Sequence, residues 1–514
     1  LLYMFKGKNV LSAMFSGRAV KDFDIVGISL YYIGSYFNIV PFLFCCGLNP
    51  LFKDRNNGSP LIICGGGAVS SNPEPVSDFF DLLIIGNGET PLNDLIEFYG
   101  ENRKRDKKDL LNGLNKVNAS FYIPSLKKKE ILYNEEKNIQ KSILKAGDFI
   151  TKPKNKVIEL IRGCKYKCRF CQMGNIRRNF SVMPLDVVLK AINSYPNKSD
   201  CNIYPFAPDE SSYPFYSEIY NNLGNRHLYR YNQRLDTFYK KDIVRYSNSD
   251  YRVSFGLDGL SQRIRNLIGK RITLNDIEGS LCKAFSLFDE IKLNLIFAFP
   301  FEKDKDWKEF EKFFNAILEI RRNSFPDRAL QESENKEFNL NNIKNRALGE
   351  KPNSINKYKK GKKFVFISLA PTPFVADPHT PMQWFGMGEV NKSVRLITDI
   401  RLRLMQKYSM VKMEGLNSQE SIEVEYMLKR GGKEFISVFI ELAKRGIWNT
   451  GGMAGINRKF LGCCNLYGID KNMYTRELGI DEPLNWDFII PERGKSKLIS
   501  GYKEMKKEIR NLEV

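Results

Sequence analysis

Cys164, Cys168 and Cys171 are the side chains of this chain best placed by type and spacing to do chemistry. They lie in the stretch Arg162-Gly163-Cys164-Lys165-Tyr166-Lys167-Cys168-Arg169-Phe170-Cys171-Gln172-Met173-Gly174. The pattern is C-x3-C-x2-C, with a glycine before the first cysteine and an aromatic ring before the third. A structural zinc ion is closed by four ligands and a ferredoxin cluster by four cysteines, so a compact set of three leaves one metal position open. An open position on a cluster is where a substrate or cofactor binds. The competing reading is a zinc site closed by a distant fourth ligand. Only two histidines, His227 and His379, are present. Histidine acid-base catalysis and histidine-rich metal sites therefore have few candidates, and hard chemistry is expected to fall to a cofactor.

The elements around the triplet read as α/β. The runs Asp24-Ile25-Val26-Gly27-Ile28-Ser29-Leu30, Pro60-Leu61-Ile62-Ile63-Cys64 and Asp81-Leu82-Leu83-Ile84-Ile85 are short and apolar, as buried parallel strands are. The second runs into Gly65-Gly66-Gly67 and the third into Gly86-Asn87-Gly88-Glu89. This is the doubly wound pattern, whose ligand crevice lies at the carboxyl ends of the strands. Such glycines serve packing or turn geometry at least as often as they serve a ligand. The strand from Lys156 to Ile161 delivers the cysteines onto a loop. Strand-like and helical stretches alternate beyond it, including a helix over Tyr213 to Leu223, as in a full or partial parallel (β/α) barrel. The expected organisation is a Rossmann-like domain over 1–125, a linker over 126–152, the barrel over 153–387 with a low-complexity insertion at 323–363, and a helix-rich C-terminal region over 388–514.

A chain of 514 residues with 42% hydrophobic content can bury two or three cores. Its net charge of +21 fits a polyanionic partner such as RNA or the ribosome, but the basic residues are scattered, as a biased genome composition would leave them. Ten cysteines without regular pairing point to a reducing, cytoplasmic setting. The apolar run from Phe37 to Phe52 is too short to span a bilayer and carries Pro41, Gly47 and Pro50, so no membrane partner is expected.

Cys164-x3-Cys168-x2-Cys171, with Phe170 before the last cysteine, resembles the cluster loop of the radical S-adenosylmethionine superfamily. The resemblance implies that the three cysteines bind three irons of a [4Fe-4S] cluster and that S-adenosylmethionine chelates the fourth. It further implies one-electron cleavage of the sulfonium to a 5'-deoxyadenosyl radical, which abstracts a substrate hydrogen, and a reducing partner such as flavodoxin or ferredoxin. Residues 20 to 390 extend the likeness to a subgroup with an N-terminal cobalamin-binding-like domain, through the Asp24 to Leu30 strand, Asn72-Pro73-Glu74-Pro75 and Gly86-Asn87-Gly88-Glu89. His379-Thr380-Pro381-Met382-Gln383-Trp384 resembles its last barrel segment, shared in part with tRNA methylthiotransferases. Carried over by position, Phe170, Asp258, Ser261 and Arg265 are the cofactor-binding residues, the last three near the methionine moiety. The subgroup usually has glutamate where Asp258 stands. Cobalamin is a candidate third cofactor, with a purely structural module as its alternative, because the Asp-x-His-x-x-Gly motif is absent and no histidine precedes His227. The implied reaction is modification of an unidentified substrate, methylation included. A basic RNA- or ribosome-associated protein with a structural or redox-sensing cluster is the alternative.

Smaller candidates are Asp209 and Glu210 for the cofactor amine or ribose, and Tyr229, Arg230, Tyr231 and Arg234 for a substrate wall. His379 is a candidate proton shuttle, although Pro378 and Pro381 favour a turn. Cys463-Cys464 and Cys45-Cys46 read as buried thiols.

Overall fold

Runs such as Leu61-Ile62-Ile63-Cys64 send alternate side chains to opposite sides of a sheet, so each strand needs two apolar layers when both sides are covered. The structure, a computed structural model, describes residues 11–13, 16–126, 130–142, 155–176, 180–228, 232–240, 252–324, 366–408, 411–448, 453–491 and 494–512. The sequence-read insertion at 323–363 and the trio Tyr229, Arg230 and Tyr231 lie almost wholly outside these residues.

Strands β1 (Ile25–Ser29), β2 (Leu61–Gly65) and β3 (Leu82–Ile84) are parallel, and β4 (Phe121–Tyr122) closes the edge antiparallel to β3. Helices α1 (Ile39–Cys45), α2 (Gly67–Ser71), α3 (Glu89–Asn102) and α4 (Lys107–Val117) accompany them. Leu61 and Ile63 pack with Leu95, Leu110 and Leu114 of α3 and α4, while Ile62 and Cys64 join the main core on the other face.

After β5 (Ile131–Leu132) the barrel begins with β6 (Asn155–Glu159), β7 (Ile161–Arg162), β8 (Ser181–Val182), α5 (Leu185–Asn193), β9 (Asn202–Phe206), α6 (Tyr216–Asn221) and β10 (His227–Leu228). It continues through α7 (Leu235–Phe238), β11 (Arg252–Gly256), α8 (Gln262–Leu267), α9 (Leu274–Leu287), β12 (Glu290–Phe297), α10 (Asp304–Ser324) and β13 (Phe366–Pro373). Strands β6, β9 and β10 form one parallel sheet and β11, β12, β13 and β14 (Val411–Met413) another. An isolated parallel bridge pairs Gln233, in the segment after β10, with Phe255 of β11. The barrel is therefore partial, and it takes its last strand from beyond residue 387. Helix α6 starts later than the sequence pattern predicts, because Tyr213 precedes Pro214 and is extended, with φ −70° and ψ 121°.

The remaining helices are α11 (Val390–Lys407), α12 (Gln419–Arg430), α13 (Phe435–Lys444), α14 (Met453–Leu466), α15 (Asn472–Thr475) and, after β15 (Ile489–Ile490), α16 (Lys495–Asn511). They supply the second covering layer of the first sheet. Phe37 meets Phe439 of α13 and Phe460 of α14 edge-on, with ring centroids 5.5 and 5.4 Å apart. Such pairs add about 0.5–1.5 kcal/mol each beyond the area they bury. β15 pairs with β5, so the segment between the first sheet and the barrel is stitched to the C-terminal region. No helix among the described residues is long and apolar enough to cross a membrane.

Buried Asn72, just past α2, donates from Nδ2 to the carbonyls of Lys429 at 3.0 Å and Gly431 at 2.8 Å, and so caps the end of α12. Asn72→Ala leaves those acceptors without that donor. It is expected to cost about 2 kcal/mol, read as a lower denaturant midpoint for the joined N- and C-terminal layers, with the far-UV spectrum of the folded protein unchanged.

Candidate functional site

The cysteine loop leaves β7 through Gly163, whose φ of 77° is open to glycine and costly to other residues. It is then held from several sides. Asn175 Nδ2 donates to the carbonyls of Cys168 at 2.9 Å and Cys171 at 2.8 Å, which fixes the turn that carries the last two thiols. Gly174 lies so close to the loop that a Cβ there would stand 2.0 Å from the Tyr166 carbonyl oxygen. The Arg169 backbone N–H donates to the Ile268 carbonyl at 2.8 Å, and its guanidinium reaches the Leu267 carbonyl at 2.8 Å and both oxygens of Glu508 on α16 at 2.5 and 2.9 Å. Gln172 Nε2 donates to Ser71 Oγ at 2.7 Å and to the Pro378 carbonyl at 2.9 Å.

Cys168 is buried and Cys164 and Cys171 are half-buried. Burial pushes all three thiols upward, Cys171 to about 12 with the neighbouring Cys168 adding to the effect. Three thiolates here need positive charge, which metal ions supply on coordination. Among the described residues, no group of three or more His, Cys, Asp and Glu side chains is arranged around a single ion. Thiolates on separate irons of one cluster do not have to converge on a point. The donor set, three thiols on one fixed loop, fits a multinuclear iron-sulfur group.

Two cations stand beside the thiols, and both pull against the desolvation of Cys164 and Cys168: Lys270 and Arg234. Arg234 lies 3.6 Å above the Tyr166 ring centroid and is held by Asp236 through contacts of 2.9 and 2.8 Å. Lys270 is buried and ion-paired with Asp258. Gly256 makes room for this pair, since a Cβ there would meet Lys270 Nζ at 2.6 Å and Asp258 Oδ2 at 3.0 Å. Asp258 takes a φ of 58°, a region that aspartate tolerates better than most residues, and its N–H donates to the Asn294 carbonyl at 3.1 Å.

The other sequence-predicted cofactor residues are placed differently. Ser261 is fully buried, caps α8 by accepting from the Ile264 N–H at 3.1 Å, and donates to Asp306 Oδ1 at 2.5 Å. Arg265 is buried under α10, donates to the Gly259 carbonyl and to Gln262 Oε1, each at 3.2 Å, and lies 5.8 Å from the Phe313 ring centroid. Phe170 is half-buried against the main core. Asp209 accepts from Ser211 and Ser212, each at 2.5 Å, and its charge acts on Cys164. Glu210 is buried and accepts from Gln233 at 2.7 Å and Tyr216 at 3.0 Å. Cys45 and Cys46 sit at the end of α1, and Cys463 and Cys464 are buried on α14. Lys270, Asn175 and Gln172 carry much of the site, and nothing in their local sequence marks them, because their partners lie 12 residues away, in loop carbonyls, and in another domain.

A cleft of about 510 Å³ opens beside the loop, at the carboxyl ends of β1 and β2. Tyr31, Tyr32, Gly67, Gln172, Met173 and Lys429 are among its walls. Tyr31 and Tyr32 are 76% and 58% exposed, an apolar rim open to a flat ligand. Gly66, with φ 115°, is required for another reason: a Cβ there would meet the Leu30 carbonyl oxygen at 2.6 Å. The same holds for Gly86 against the Asn134 carbonyl oxygen, at 2.3 Å. Backbone packing explains both glycines.

Compared with known proteins, residues 3–124 match the family described as radical SAM proteins, N-terminal, and residues 158–314 match the radical SAM superfamily. An uncharacterized protein of Methanocaldococcus jannaschii is 25% identical over 319 residues, covering 59% of this chain and 64% of that protein, so the chain spans less than two thirds of that relative's length. Among solved structures, the cobalamin-dependent S-adenosylmethionine radical enzyme OxsB, with aqua-cobalamin and S-adenosylmethionine bound, is 14% identical with a TM-score of 0.43, covering 96% of this chain and 72% of that one. HydG, a maturase of the [FeFe]-hydrogenase, is 9% identical with a TM-score of 0.27, covering 83% and 97%.

His379, at φ 58° and 2% exposed, bonds through Nε2 to the Ser71 carbonyl at 3.0 Å and faces the Trp486 ring. Burial lowers its pKa to about 4, against the Ser71 bond and the Asp487 charge, which raise it. The folded state thus refuses a proton that the unfolded chain takes up near pH 6.5. This contribution to stability is complete above pH 6.5, is lost as pH falls from 6.5 towards 4, and amounts to about 3 kcal/mol. In His379→Asn, chosen because asparagine tolerates positive φ, unfolding midpoints measured across that window should fall less steeply with acidification than those of the wild type.

Proposed function

This chain belongs to the radical SAM superfamily and carries the N-terminal region of radical SAM proteins, and on that premise we propose that it is an enzyme that binds a [4Fe-4S] cluster through Cys164, Cys168 and Cys171 and S-adenosylmethionine at the remaining iron. Bound there, the two supply reductive sulfonium cleavage and a 5'-deoxyadenosyl radical for hydrogen abstraction from the substrate. The observation that carries the reading is the Asp258–Lys270 pair set against Cys168, next to a loop that presents three thiols and no fourth. An ammonium and a carboxylate in one buried pair match the carboxylate and ammonium of an amino acid group.

In this reading Asp258 and Lys270 orient the methionine moiety. Ser261 and Arg265 are positioning residues: the cap on α8 and the bonds to Asp306, Gly259 and Gln262 hold the Gly256 to Gly269 segment so that Asp258 keeps its positive φ. Phe170 packs the loop onto the core and keeps water from one side of it. Arg234, stacked on Tyr166, contributes positive charge near Cys164.

Anaerobic reconstitution of the wild type is expected to give the broad visible absorbance of an iron-sulfur cluster and, after dithionite reduction, release of 5'-deoxyadenosine from S-adenosylmethionine. The Cys164→Ala, Cys168→Ala, Cys171→Ala triple variant should retain no cluster iron and fall to the rate without enzyme. A cluster spectrum that persists in the triple variant sinks the assignment.

For cobalamin, the third cofactor considered, the cleft offers a flat aromatic rim at Tyr31 and Tyr32 but no histidine among its walls. If cobalamin binds there, Tyr31 and Tyr32 would hold it without a histidine ligand, and it would supply methyl-transfer chemistry. Cobalamin-supplied protein should then show an absorbance spectrum free of histidine coordination, with retention lost in Tyr31→Ala, Tyr32→Ala. A preparation that retains none rejects cobalamin in the cleft.

A further inference from the structure

A second cleft, of about 420 Å³, lies where helices α10 and α11 begin, and it shares no wall residue with the cleft beside the cysteine loop. Phe299, Glu302, Trp307, Gly388, Lys392 and Ser393 are among its walls. Gly388 is pressed onto the chain just after β12, where a Cβ would stand 2.2 Å from the Ala298 carbonyl oxygen. That approach sets the first turn of α11 at the cleft. Glu389 precedes the helix without capping it, since its carboxylate is 76% exposed and turned to Lys392 at 3.4 Å. The N–H groups of Asn391 and Lys392 therefore have no acceptor among the described residues. Uncapped amides at the start of an 18-residue helix carry the positive end of its dipole. A second observation points the same way. Ser393 is only 4% exposed, yet its hydroxyl, in the cleft wall, has no hydrogen-bond partner among the described residues. Leaving a buried donor unmet costs about 1–3 kcal/mol, which a ligand oxygen would recover. The acids of the wall do not bar an anion. Asp304 and Glu389 are both held by Lys392, at 3.2 and 3.4 Å. Glu302 accepts from the Phe299 N–H at 3.1 Å through Oε1, while its Oε2 is buried without a partner. Burial pushes this acid up to about 8, with the Phe299 and Ala298 amides opposing and the Asp306 charge adding, so near neutral pH it is mostly uncharged.

We propose that this cleft binds a small phosphate ester, with its phosphate at the start of α11 and its organic body against Phe299, Trp307 and Met387. The Asn391 and Lys392 amides and the Ser393 hydroxyl are three donors for three phosphate oxygens, and the Lys392 ammonium supplies the opposite charge. A carboxylate, with two oxygens, would leave one of the three donors unmet. Inorganic phosphate would leave the apolar wall of a cleft of about 420 Å³ uncovered. The site does not depend on the reading of the cysteine loop, because none of Cys164, Cys168, Cys171, Asp258 and Lys270 lines it. Its occupant is a further ligand of the chain, distinct from the groups assigned to the loop.

The test is titration calorimetry on the full chain with phenyl phosphate as the probe, set beside benzoate, phenol and inorganic phosphate. The wild type should bind phenyl phosphate more tightly than each of the other three. Ser393→Ala should weaken that binding about tenfold, as loss of one hydrogen bond to a charged group does. Lys392→Glu, which places a like charge beside the phosphate, should weaken it further. Lys312→Glu, an exposed change further along α10, makes the same change in net charge and should bind as the wild type does. Saturating S-adenosylmethionine should leave phenyl phosphate in place. Several results would each overturn the proposal: no binding by the wild type at millimolar concentration, equal affinity in Ser393→Ala, an equal loss in Lys312→Glu, or displacement by S-adenosylmethionine. Benzoate or inorganic phosphate bound as tightly as phenyl phosphate would overturn it too. None of these measurements needs a cluster, so failure of the cluster assignment in the triple cysteine variant and failure of this site are read separately.

Discussion

Three thiols drawn out of water on one short loop set the terms for the structure around them. Burial disfavours each thiolate, and neighbouring thiols make the second and third ionisations harder still. The protein places Lys270 and Arg234 where their charges oppose this, and each of these cations has its own acid, Asp258 and Asp236. Those pairs leave little net charge over, so in the proposed reading most of the compensation comes from the metal. The loop is built to wait for that charge in a fixed shape. Its turns are tied by Asn175, its ends by Gly163 and Gly174, and its flank by Arg169. A floppy loop would have to be ordered on binding, at about 1–2 kcal/mol per residue.

That requirement explains why the parts of the chain are joined as closely as they are. Gln172 ties the loop to Ser71 of the first domain, Arg162 ties β7 to Glu89 at the start of α3, and Arg169 ties the loop to α16. Arg430, buried on α12, donates to the carbonyls of Gln383, Phe385, Tyr474 and Arg476 and so clamps the segment after β13 to the end of α15. The C-terminal helices are therefore a structural layer of the N-terminal sheet and a side support of the cysteine loop.

The cysteine triplet was legible because its three thiols lie within eight residues, and the strands because short apolar runs ending in small residues have few other uses. Strands β1, β2 and β3 lie within a residue of the runs Asp24 to Leu30, Pro60 to Cys64 and Asp81 to Ile85. What was not legible depends on distant partners. Gly66 and Gly86 look like ligand-cradling glycines, yet both are dictated by a backbone crossing that sequence does not display. The resemblance gives Ser261 and Arg265 as cofactor residues, and what it does not display is that serine before a helix is also a cap, whose bonding is completed by the buried Asp306 45 residues later. Lys270 gave no signal because its value lies in facing Asp258 across a gap that Gly256 leaves open. The first sheet's second covering layer was hidden for the same reason: Phe439 and Phe460 find Phe37 only in three dimensions.

The cleft follows from this joining. A doubly wound sheet and a parallel barrel each present the carboxyl ends of their strands, and here the two sets of ends meet. Between them lies a cleft whose walls include the first domain, the last turn of the cysteine loop and α12, through Gly67, Gln172 and Lys429. Lys429 is half-buried there, a setting that would lower its affinity for a proton, but Asp377 at 2.6 Å and Glu425 at 2.7 Å more than offset this and keep it charged. Arg162, also in the wall, has its charge matched by Glu159 and Glu89. The polar groups of the cleft are thus largely matched within the protein, and what they leave open is apolar and aromatic. A ligand of this cleft is therefore held mainly by its flat apolar surface, and the polar groups around it limit where that surface can lie.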